Sequence, residues 1–242
     1  MTDFPKIRSV GLGGVLVTFG DKATDAANRA AIAFRNAVDA LALPQIEESS
    51  STLVSAFFRV DLAQHGFAPL HDALADVVAQ QDWLTADLPG GRTLWTIPAV
   101  FGGPRAPQFG EAAEAAGLTA EAALAELTGT RLRVLTIGFA PGQPYLGTLG
   151  THWDIPRQVG LTPHVPQGAL VAAVRQVCLF AKDTPTGWRH VGQSAFRCFR
   201  PDAAEPFLLT PGDEVQFAAV TQAALERLEA HGVDGTERTV LG

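Results

Sequence analysis

The segment with the most chemical potential covers residues 138–147 and reads Gly-Phe-Ala-Pro-Gly-Gln-Pro-Tyr-Leu-Gly. Its glycines admit positive φ angles or the close approach of another group, and its prolines lock φ, so we expect an irregular backbone. A loop of this kind that carries Phe139, Pro141, Gly142 and Tyr145 is suited to hold a small ligand. The same pattern is typical of a tight barrel corner capped by aromatic side chains, and the segment alone leaves both interpretations open.

Three further polar residues lie beside turns that contain proline or a change of chain direction. Arg157 follows Pro156 and could clamp a carboxylate with two hydrogen bonds, and His164 follows Pro163 and could exchange a proton near neutral pH. Gln176 follows a cationic residue at another such turn. Taken singly, an arginine is more often a solvated surface group and a histidine beside proline more often structural.

Several common catalytic patterns are missing from the sequence. It contains no G-x-S-x-G elbow, no phosphate-binding Walker loop and no complete dinucleotide fingerprint. The six histidines show no metal-binding spacing, and the two cysteines, Cys178 and Cys198, show no CxxC spacing. We therefore expect packed, reduced thiols, no metal, and no cofactor bound by this chain alone.

Composition narrows the class of protein. The chain has 242 residues and a formal net charge of -7, which argues against nucleic acid as the main partner. No apolar run approaches the length of a membrane helix, and the N-terminal residues do not resemble a secretory signal. These features predict a soluble protein of the cytoplasm without a membrane partner.

The first part of the chain alternates between strand and helix patterns. Apolar residues at helical spacing predict helices over residues 23–41 and 69–81. Short β-type runs predict strands on either side of them, with a last strand near residues 92–97. The order β-β-α-β-β-α-β predicts a first domain over residues 1–97, in which helices cover one face of a sheet.

A connector rich in glycine and proline begins at Pro98 and leads into two short Ala-rich helices separated by Gly117. Beyond Gly129 the chain consists of short alternating runs divided by Pro and Gly, which is typical of a barrel or sandwich. We therefore predict a second, β-rich domain over residues 98–242, with a short helical connector at its start. The predicted fold class is α+β.

Five ordered blocks resemble one known family. They are GFAPGQPYLGTL, IPRQVGLTPHVPQGAL, the region of Gln176, TPTGWRHVGQS and LLTPGDEVQF, and the opening VGLGGVLVTFGD extends the likeness into the first half of the chain. The family is the B subunit of 5-oxoprolinase, also called allophanate hydrolase subunit 1 or Kip-type kinase inhibitor. The resemblance implies a ferredoxin-like α/β sandwich followed by a cyclophilin-like β-barrel.

The resemblance also implies a function shared among several proteins. It suggests a carboxyltransferase-like pair with the C-type subunit of 5-oxoprolinase, completed by the A-type subunit, for ATP-dependent opening of 5-oxoproline to glutamate. ATP is thus implied for the complex, and a small acid or lactam is the expected substrate. The expected substrate-binding residues are Phe139, Pro141, Gly142, Tyr145, Arg157, His164 and Gln176.

This sequence departs from the family pattern at several positions. The family has a GGQTG run where this chain reads Val174-Arg175-Gln176-Val177-Cys178, so we expect the valine and arginine side chains to fill space or to forbid a backbone conformation that the family's pocket uses. A non-catalytic regulator of a sensor histidine kinase, as the Kip-type name implies, is the alternative function. A prolyl isomerase is a weaker alternative because fold alone does not carry function.

Overall fold

The computed structural model describes residues 4–242. The chain separates into two compact units, one ending at Gly90 and one running from Gly91 to Gly242. Each unit buries its own cluster of apolar side chains. The repeated apolar residues of the sequence therefore build two cores rather than one.

The first unit is a sheet with helices packed against it. Its elements are β1 (Lys6–Ser9), β2 (Gly14–Thr18), α1 (Asp25–Ala40), β3 (Glu48–Ser51), β4 (Ser55–Arg59), the one-turn α2 (Leu62–His65) and α3 (Ala68–Val78). The strands pair antiparallel in the order β1-β2-β4-β3. This β-β-α-β-β-α arrangement is the predicted ferredoxin-like sandwich.

Helix α1 shows why this part of the sequence folds as predicted. Thr24 caps its start, where the side-chain hydroxyl accepts a hydrogen bond from the backbone N–H of Ala27 at 3.2 Å. Apolar residues on one side of the helix are fully buried. Among them, the ring of Phe34 lies 6.2 Å from that of Phe58 on the sheet and 5.0 Å from that of Trp83. The helix is therefore held by its buried face.

The second unit is a closed β-barrel with flanking helices. Its elements are β5 (Thr93–Phe101), α4 (Phe109–Ala115), α5 (Ala120–Gly129), β6 (Leu132–Ile137), β7 (Pro144–Gly147), β8 (Thr162–Val165), β9 (Ala169–Ala173), β10 (Gln176–Leu179), β11 (Thr184–Thr186), β12 (Arg189–Ser194), β13 (Glu214–Ala219), α6 (Gln222–Ala230) and β14 (Glu237–Val240). The strand order is β12-β9-β10-β7-β6-β13-β5-β14, and β12 also pairs with β5, which closes the barrel and leaves β14 outside it. The predicted α+β class with a C-terminal barrel is confirmed.

One predicted strand belongs to the other domain. The strand expected near residues 92–97 is β5, which the sequence pattern assigns to the first domain. In the structure it pairs in parallel with β13, where Trp95 lies opposite Val215, and it also pairs with β12. The predicted division after residue 97 thus cuts through a barrel strand, whereas the compact units divide after Gly90. The local sequence pattern predicts that a strand forms here. It does not predict which strands pair with it, because those strands lie far along the chain.

The predicted helical connector corresponds to α4 and α5. Thr119 caps α5, and its hydroxyl accepts a hydrogen bond from the backbone N–H of Ala122 at 3.2 Å. Helix α4 packs on β12, and α5 packs on β13. Both helices are therefore part of the barrel unit rather than a linker between units.

Asp213 joins two segments of the barrel unit. Its carboxylate is buried and accepts hydrogen bonds from the backbone N–H of Thr93 at 2.8 Å and from Trp95 Nε1 at 3.2 Å. It also accepts from the N–H of Thr210 at 3.0 Å and from its hydroxyl at 3.1 Å. We call this group the Asp213 node. It ties the turn before β13 to β5.

The turn between β9 and β10 adopts a backbone that the sequence does not predict. Val174 and Arg175 have φ angles of 46° and 64°, so both lie in the left-handed region despite their side chains. Two backbone bonds hold them there, from Val174 N to the carbonyl of Ile155 and from Arg175 N to that of Trp153, each 2.9 Å long. Tertiary contacts therefore impose on Val174 and Arg175 the left-handed backbone that glycine adopts most easily.

Candidate functional site

The loop of residues 138–143 joins β6 to β7 and has the irregular backbone that its glycines and prolines predict. Phe139 and Gly142 have φ angles of 70° and 71°. A Cβ at Gly142 would lie 2.6 Å from the carbonyl oxygen of Cys198, so only glycine fits there. Phe139 is 70% exposed and Pro141 is also exposed. The loop is thus a tight barrel corner at Gly142 with an open tip at Phe139.

Tyr145, Trp188 and Arg157 lie together at the other end of this segment. The rings of Tyr145 and Trp188 meet edge to face with centroids 6.1 Å apart. The guanidinium carbon of Arg157 lies 5.4 Å from the centre of the Trp188 ring, a cation–π contact. We call these three residues the Tyr145 cluster.

A small apolar surface supports the Tyr145 cluster. Tyr145 lies opposite Cys178 on β10, and Gln176 lies opposite Gly147 on the same pair of strands. Since alternate residues of a strand share a face, Gln176 and Tyr145 lie on one face of the sheet. The buried residues of this face are Val165, Ala169, Val171, Ala173, Cys178, Phe180 and Trp188.

The tyrosine hydroxyl is in a mixed environment. Burial raises the pKa of Tyr145, and nearby Cys178 adds to the increase. The positive charge of Arg157 and a hydrogen bond with the Gln143 side chain oppose the increase in this pKa. Gln143 is itself almost fully buried, and its Oε1 accepts from the backbone N–H of Ala181 at 3.3 Å. At neutral pH the phenol is therefore protonated and can donate a hydrogen bond to a ligand.

Arg157 has an exposed side chain and no acidic partner. Within residues 4–242 no hydrogen bond or ion pair of its guanidinium is found, and its contact is with Trp188. A cation on an aromatic surface without a carboxylate of its own can accept one from a ligand. The Tyr145 cluster thus offers a cation, a phenol and an apolar wall.

His164 is not brought to the Tyr145 cluster. It lies on β8, which pairs with β11 in a separate two-stranded ribbon. The neighbouring Val165 belongs to the apolar face, so the alternation of the strand turns His164 the other way. Its ring is 71% exposed, with Nε2 3.8 Å from Asp183 Oδ2. The structure therefore brings Tyr145 and Arg157 together around Trp188 and places Gln176 on the same sheet face as Tyr145, but it leaves His164 and the tip at Phe139 apart.

Trp188 and Gln143 are residues of this site that the sequence pattern does not single out. Trp188 follows a Thr-Pro-Thr-Gly turn, which predicts a packed residue, and it is indeed packed, since only 6% of it is exposed. In the sequence, what indicates a role for Trp188 is its place in TPTGWRHVGQS, the fourth of the five blocks that resemble the family. Gln143 lies between Gly142 and Pro144 where a barrel strand begins. A polar side chain that is buried in such a segment needs a hydrogen-bond partner, so its position indicates a buried contact.

A separate cavity of about 720 Å³ lies elsewhere on the barrel unit. Residues that line it include Gln193, Ser194, Arg197, Arg200, Glu229 and Asp234, and none of the seven predicted site residues does. Arg200 pairs with Asp234, and Glu229 pairs with Arg105. Both of these acidic groups are therefore already neutralised by arginine.

The described residues offer neither a metal site nor a membrane helix. No group of three or more His, Cys, Asp or Glu side chains in residues 4–242 is placed to hold a metal ion. No helix in the same residues is long and apolar enough to cross a membrane. The two thiols are buried and unpaired with each other, and burial raises the pKa of Cys198 to about 12.

Comparison with protein families gives one match that covers most of the chain. The model of the carboxyltransferase domain, subdomain C and D, matches residues 5–209. The match includes the first unit, the Tyr145 cluster and most of the barrel. It ends before β13, α6 and β14.

Individual relatives carry a consistent name. The 5-oxoprolinase B subunit of Bacillus subtilis (strain 168) is 27% identical over 229 residues, which cover 92% of this chain and 95% of that protein. The 5-oxoprolinase B subunit of Escherichia coli O157:H7 is 34% identical over 121 residues, or 50% of this chain and 56% of that protein.

A solved structure has the same architecture in a longer chain. The crystal structure of TTHA0988 aligns with 89% of this chain at a TM-score of 0.72 and 26% identity. This chain spans only 40% of the TTHA0988 chain. The same fold thus occurs joined to further polypeptide in that protein.

Proposed function

Because the chain belongs to the carboxyltransferase domain family, subdomain C and D, as its resemblance to the 5-oxoprolinase B subunit predicts, we propose that it is one component of an ATP-dependent 5-oxoprolinase-type hydrolase. The observation that carries the proposal is the alignment with the Bacillus subtilis protein of that name, which extends over 95% of its length. The proposed substrate is 5-oxoproline or a related small lactam acid.

The proposed substrate site is the Tyr145 cluster together with Gln176. Arg157, held at the Trp188 ring by the cation–π contact, would bind the carboxylate of the acid. The protonated phenol of Tyr145 and the amide of Gln176 would hydrogen-bond the lactam group. A hydrogen-bonded charge in a partly buried site provides both affinity and orientation.

The chain is proposed to work only with partners. Its sequence contains no phosphate-binding loop, so the ATP-dependent step falls to other proteins of the complex. ATP would transfer a phosphoryl group to the oxygen of the ring amide and release ADP. Water would then add to that carbon, and the ring C–N bond would break as the nitrogen takes up a proton. Hydrolysis of the remaining acyl phosphate would release phosphate and glutamate. The C-type subunit of 5-oxoprolinase is the expected direct partner, and the A-type subunit completes the reaction. The longer TTHA0988 chain supports a partner, since this fold there is joined to further polypeptide.

Reconstitution tests this proposal. We expect the purified chain alone to release no glutamate from 5-oxoproline and ATP. Mixed with the C-type and A-type subunits of the same genome, it should give ATP-dependent glutamate release, measured by an enzymatic glutamate assay. Omission of this chain is the control. A complex that forms but converts neither 5-oxoproline nor related lactam acids would contradict the proposal.

A further inference from the structure

Gln158 holds the loop that carries Arg157 against the strand end that carries Trp188. Its backbone N–H donates to the carbonyl of Gly187 at 2.7 Å. Its side-chain Nε2 donates to the carbonyl of Trp188 at 3.1 Å. The residue that follows Arg157 is therefore bound twice to the segment that carries Trp188.

Gln108, from the start of α4, completes this arrangement. Its Nε2 donates to Oε1 of Gln158 at 2.7 Å, so both ends of the Gln158 amide are engaged. Gln108 is in turn anchored on β12, where its N–H donates to the carbonyl of His190 at 3.1 Å and its Oε1 accepts from the N–H of His190 at 2.9 Å. With these three bonds Gln108 has one orientation available.

A second contact fixes the same loop from the other side of Arg157. Arg189 Nη1 donates to the carbonyl of Pro156 at 2.7 Å, while its Nε pairs with Glu111 on α4 at 2.9 Å. The residues before and after Arg157 are thus both tied to α4 and β12. The backbone at Arg157 is held even though its guanidinium has no hydrogen bond or ion pair within residues 4–242.

We propose that Gln108 is a positioning residue that acts through Gln158 to hold Arg157 over Trp188, ready to receive the carboxylate of a small acid. A cation that is fixed in advance loses less conformational freedom when the anion binds. The choice of ligand rests on the proposed function, whereas the positioning of Arg157 does not.

Tyr145 provides a direct readout of where Arg157 lies. It is the only tyrosine of the chain, so the absorbance of tyrosinate reports its ionisation alone. Arg157 lowers the pKa of Tyr145, so loss or displacement of Arg157 raises it. A role of Gln108 in stability alone would leave this titration unchanged in the folded protein.

The experiment compares alkaline titrations of wild type, Arg157→Ala, Gln108→Leu and the double variant Gln108→Leu/Arg157→Ala. We expect Arg157→Ala and Gln108→Leu each to raise the pKa of Tyr145. The double variant should titrate like Arg157→Ala. Circular dichroism at each pH confirms that the protein is folded. Gln158→Leu removes the same hydrogen bond between Gln108 and Gln158 and should also raise the pKa of Tyr145. This variant tests the proposal if the Gln108→Leu protein does not fold.

A matched control is Gln216→Leu, which removes one side-chain hydrogen bond, from Gln216 Nε2 to the carbonyl of Thr128 at 3.0 Å. It should leave the Tyr145 titration as in wild type. Folded Gln108→Leu and Gln158→Leu proteins that titrate like wild type would overturn the proposal, and so would an Arg157→Ala protein with an unchanged titration.

Isothermal titration with 5-oxoproline separates this inference from the proposed function. If both hold, 5-oxoproline binds wild type within the reconstituted complex and binds the Gln108→Leu complex several-fold more weakly. If the Tyr145 titrations shift as expected but 5-oxoproline does not bind the wild-type complex, the positioning role stands and the proposed function fails.

Discussion

The Asp213 node and the Tyr145 cluster use charged groups in opposite ways. The Asp213 carboxylate is buried and accepts four hydrogen bonds between 2.8 and 3.2 Å. The Arg157 guanidinium is exposed and contacts an aromatic ring in place of a carboxylate. The Asp213 charge is satisfied by hydrogen bonds within the barrel unit, whereas the Arg157 charge has no acidic partner among residues 4–242.

This difference separates residues that the barrel needs from residues that a ligand needs. Removing a group that satisfies buried donors leaves those donors without partners, and each costs free energy. Removing an exposed cation without hydrogen bonds costs the fold little. The comparison therefore predicts which substitutions change stability and which change binding.

The largest effect should come from Asp213→Ala. The substitution leaves the N–H groups of Thr93, Trp95 and Thr210 without their acceptor inside the barrel unit, so we expect a loss of about 3 kcal/mol or more in the free energy of unfolding. Denaturant unfolding measures it. Asp202→Ala, at an exposed position, is the control. An Asp213→Ala protein as stable as that control would show that the Asp213 node does not stabilise the barrel unit.

A smaller change in the free energy of unfolding, of opposite sign, should follow from a substitution at the turn beside Gln176. Val174→Gly replaces a β-branched residue with a φ angle of 46° by the residue that tolerates this region. We expect a gain of about 1 kcal/mol in the free energy of unfolding, since left-handed strain costs about 1–3 kcal/mol and glycine gives part of it back as entropy. Val233→Gly, where φ is not positive, should instead destabilise. Loss of stability in Val174→Gly would show that the turn is not strained.

The pH dependence of stability should include a contribution from His190. Burial lowers the pKa of His190, and Arg105 adds to this, while the Gly192 backbone and the Gln193 side chain oppose it. The unfolded chain, with a histidine pKa of about 6.5, therefore takes up the proton first as the pH falls. Stability should decline below about pH 6.5 until the folded-state pKa is passed.

His190→Gln should reduce this decline, as measured by unfolding free energies across the acidic range. His65→Gln, at an exposed position, is the control. An unchanged slope in His190→Gln would mean that His190 takes up its proton in the folded state as readily as in the unfolded chain.

The smallest effect on stability should be that of Arg157→Ala. An exposed cation–π contact contributes about 0.5–1 kcal/mol, so the free energy of unfolding should fall by no more than that amount. Thermal and denaturant unfolding against wild type check it. A loss as large as that of Asp213→Ala would make Arg157 a structural residue and would erase the contrast between the two regions.

Local patterning predicts the elements better than their partners. Thr119 is recognisable as a helix cap because a cap depends on neighbours three residues away, whereas Asp21, Thr24 and Asp25 are all possible caps of the first helix and the structure uses Thr24. Strand β5 is assigned by its pattern to the wrong domain, since its parallel partner β13 lies at the other end of the second unit. The local sequence around Asp213 predicts only a turn. Its role as a buried acceptor cannot be predicted there, because its donors at Thr93 and Trp95 are distant in sequence.

The candidate site is predictable in part. Loop composition and family-like blocks point to Tyr145, Gln176 and Arg157, and the structure gathers them around one sheet face. A histidine beside a turn suggests chemistry at His164, but strand alternation relative to Val165 turns it away. Gln108 has no such signal, because its partner Gln158 is in contact only after the barrel has formed.

Calorimetric titration of 5-oxoproline into the reconstituted complex tests whether Arg157 in the Tyr145 cluster receives the carboxylate of a small acid. With wild type and Arg157→Ala compared, we expect the variant to lose about 1.5–3 kcal/mol of binding free energy, the range for hydrogen bonds to charged groups. Equal affinity of the two complexes for 5-oxoproline would contradict the claim and remove Arg157 from the site.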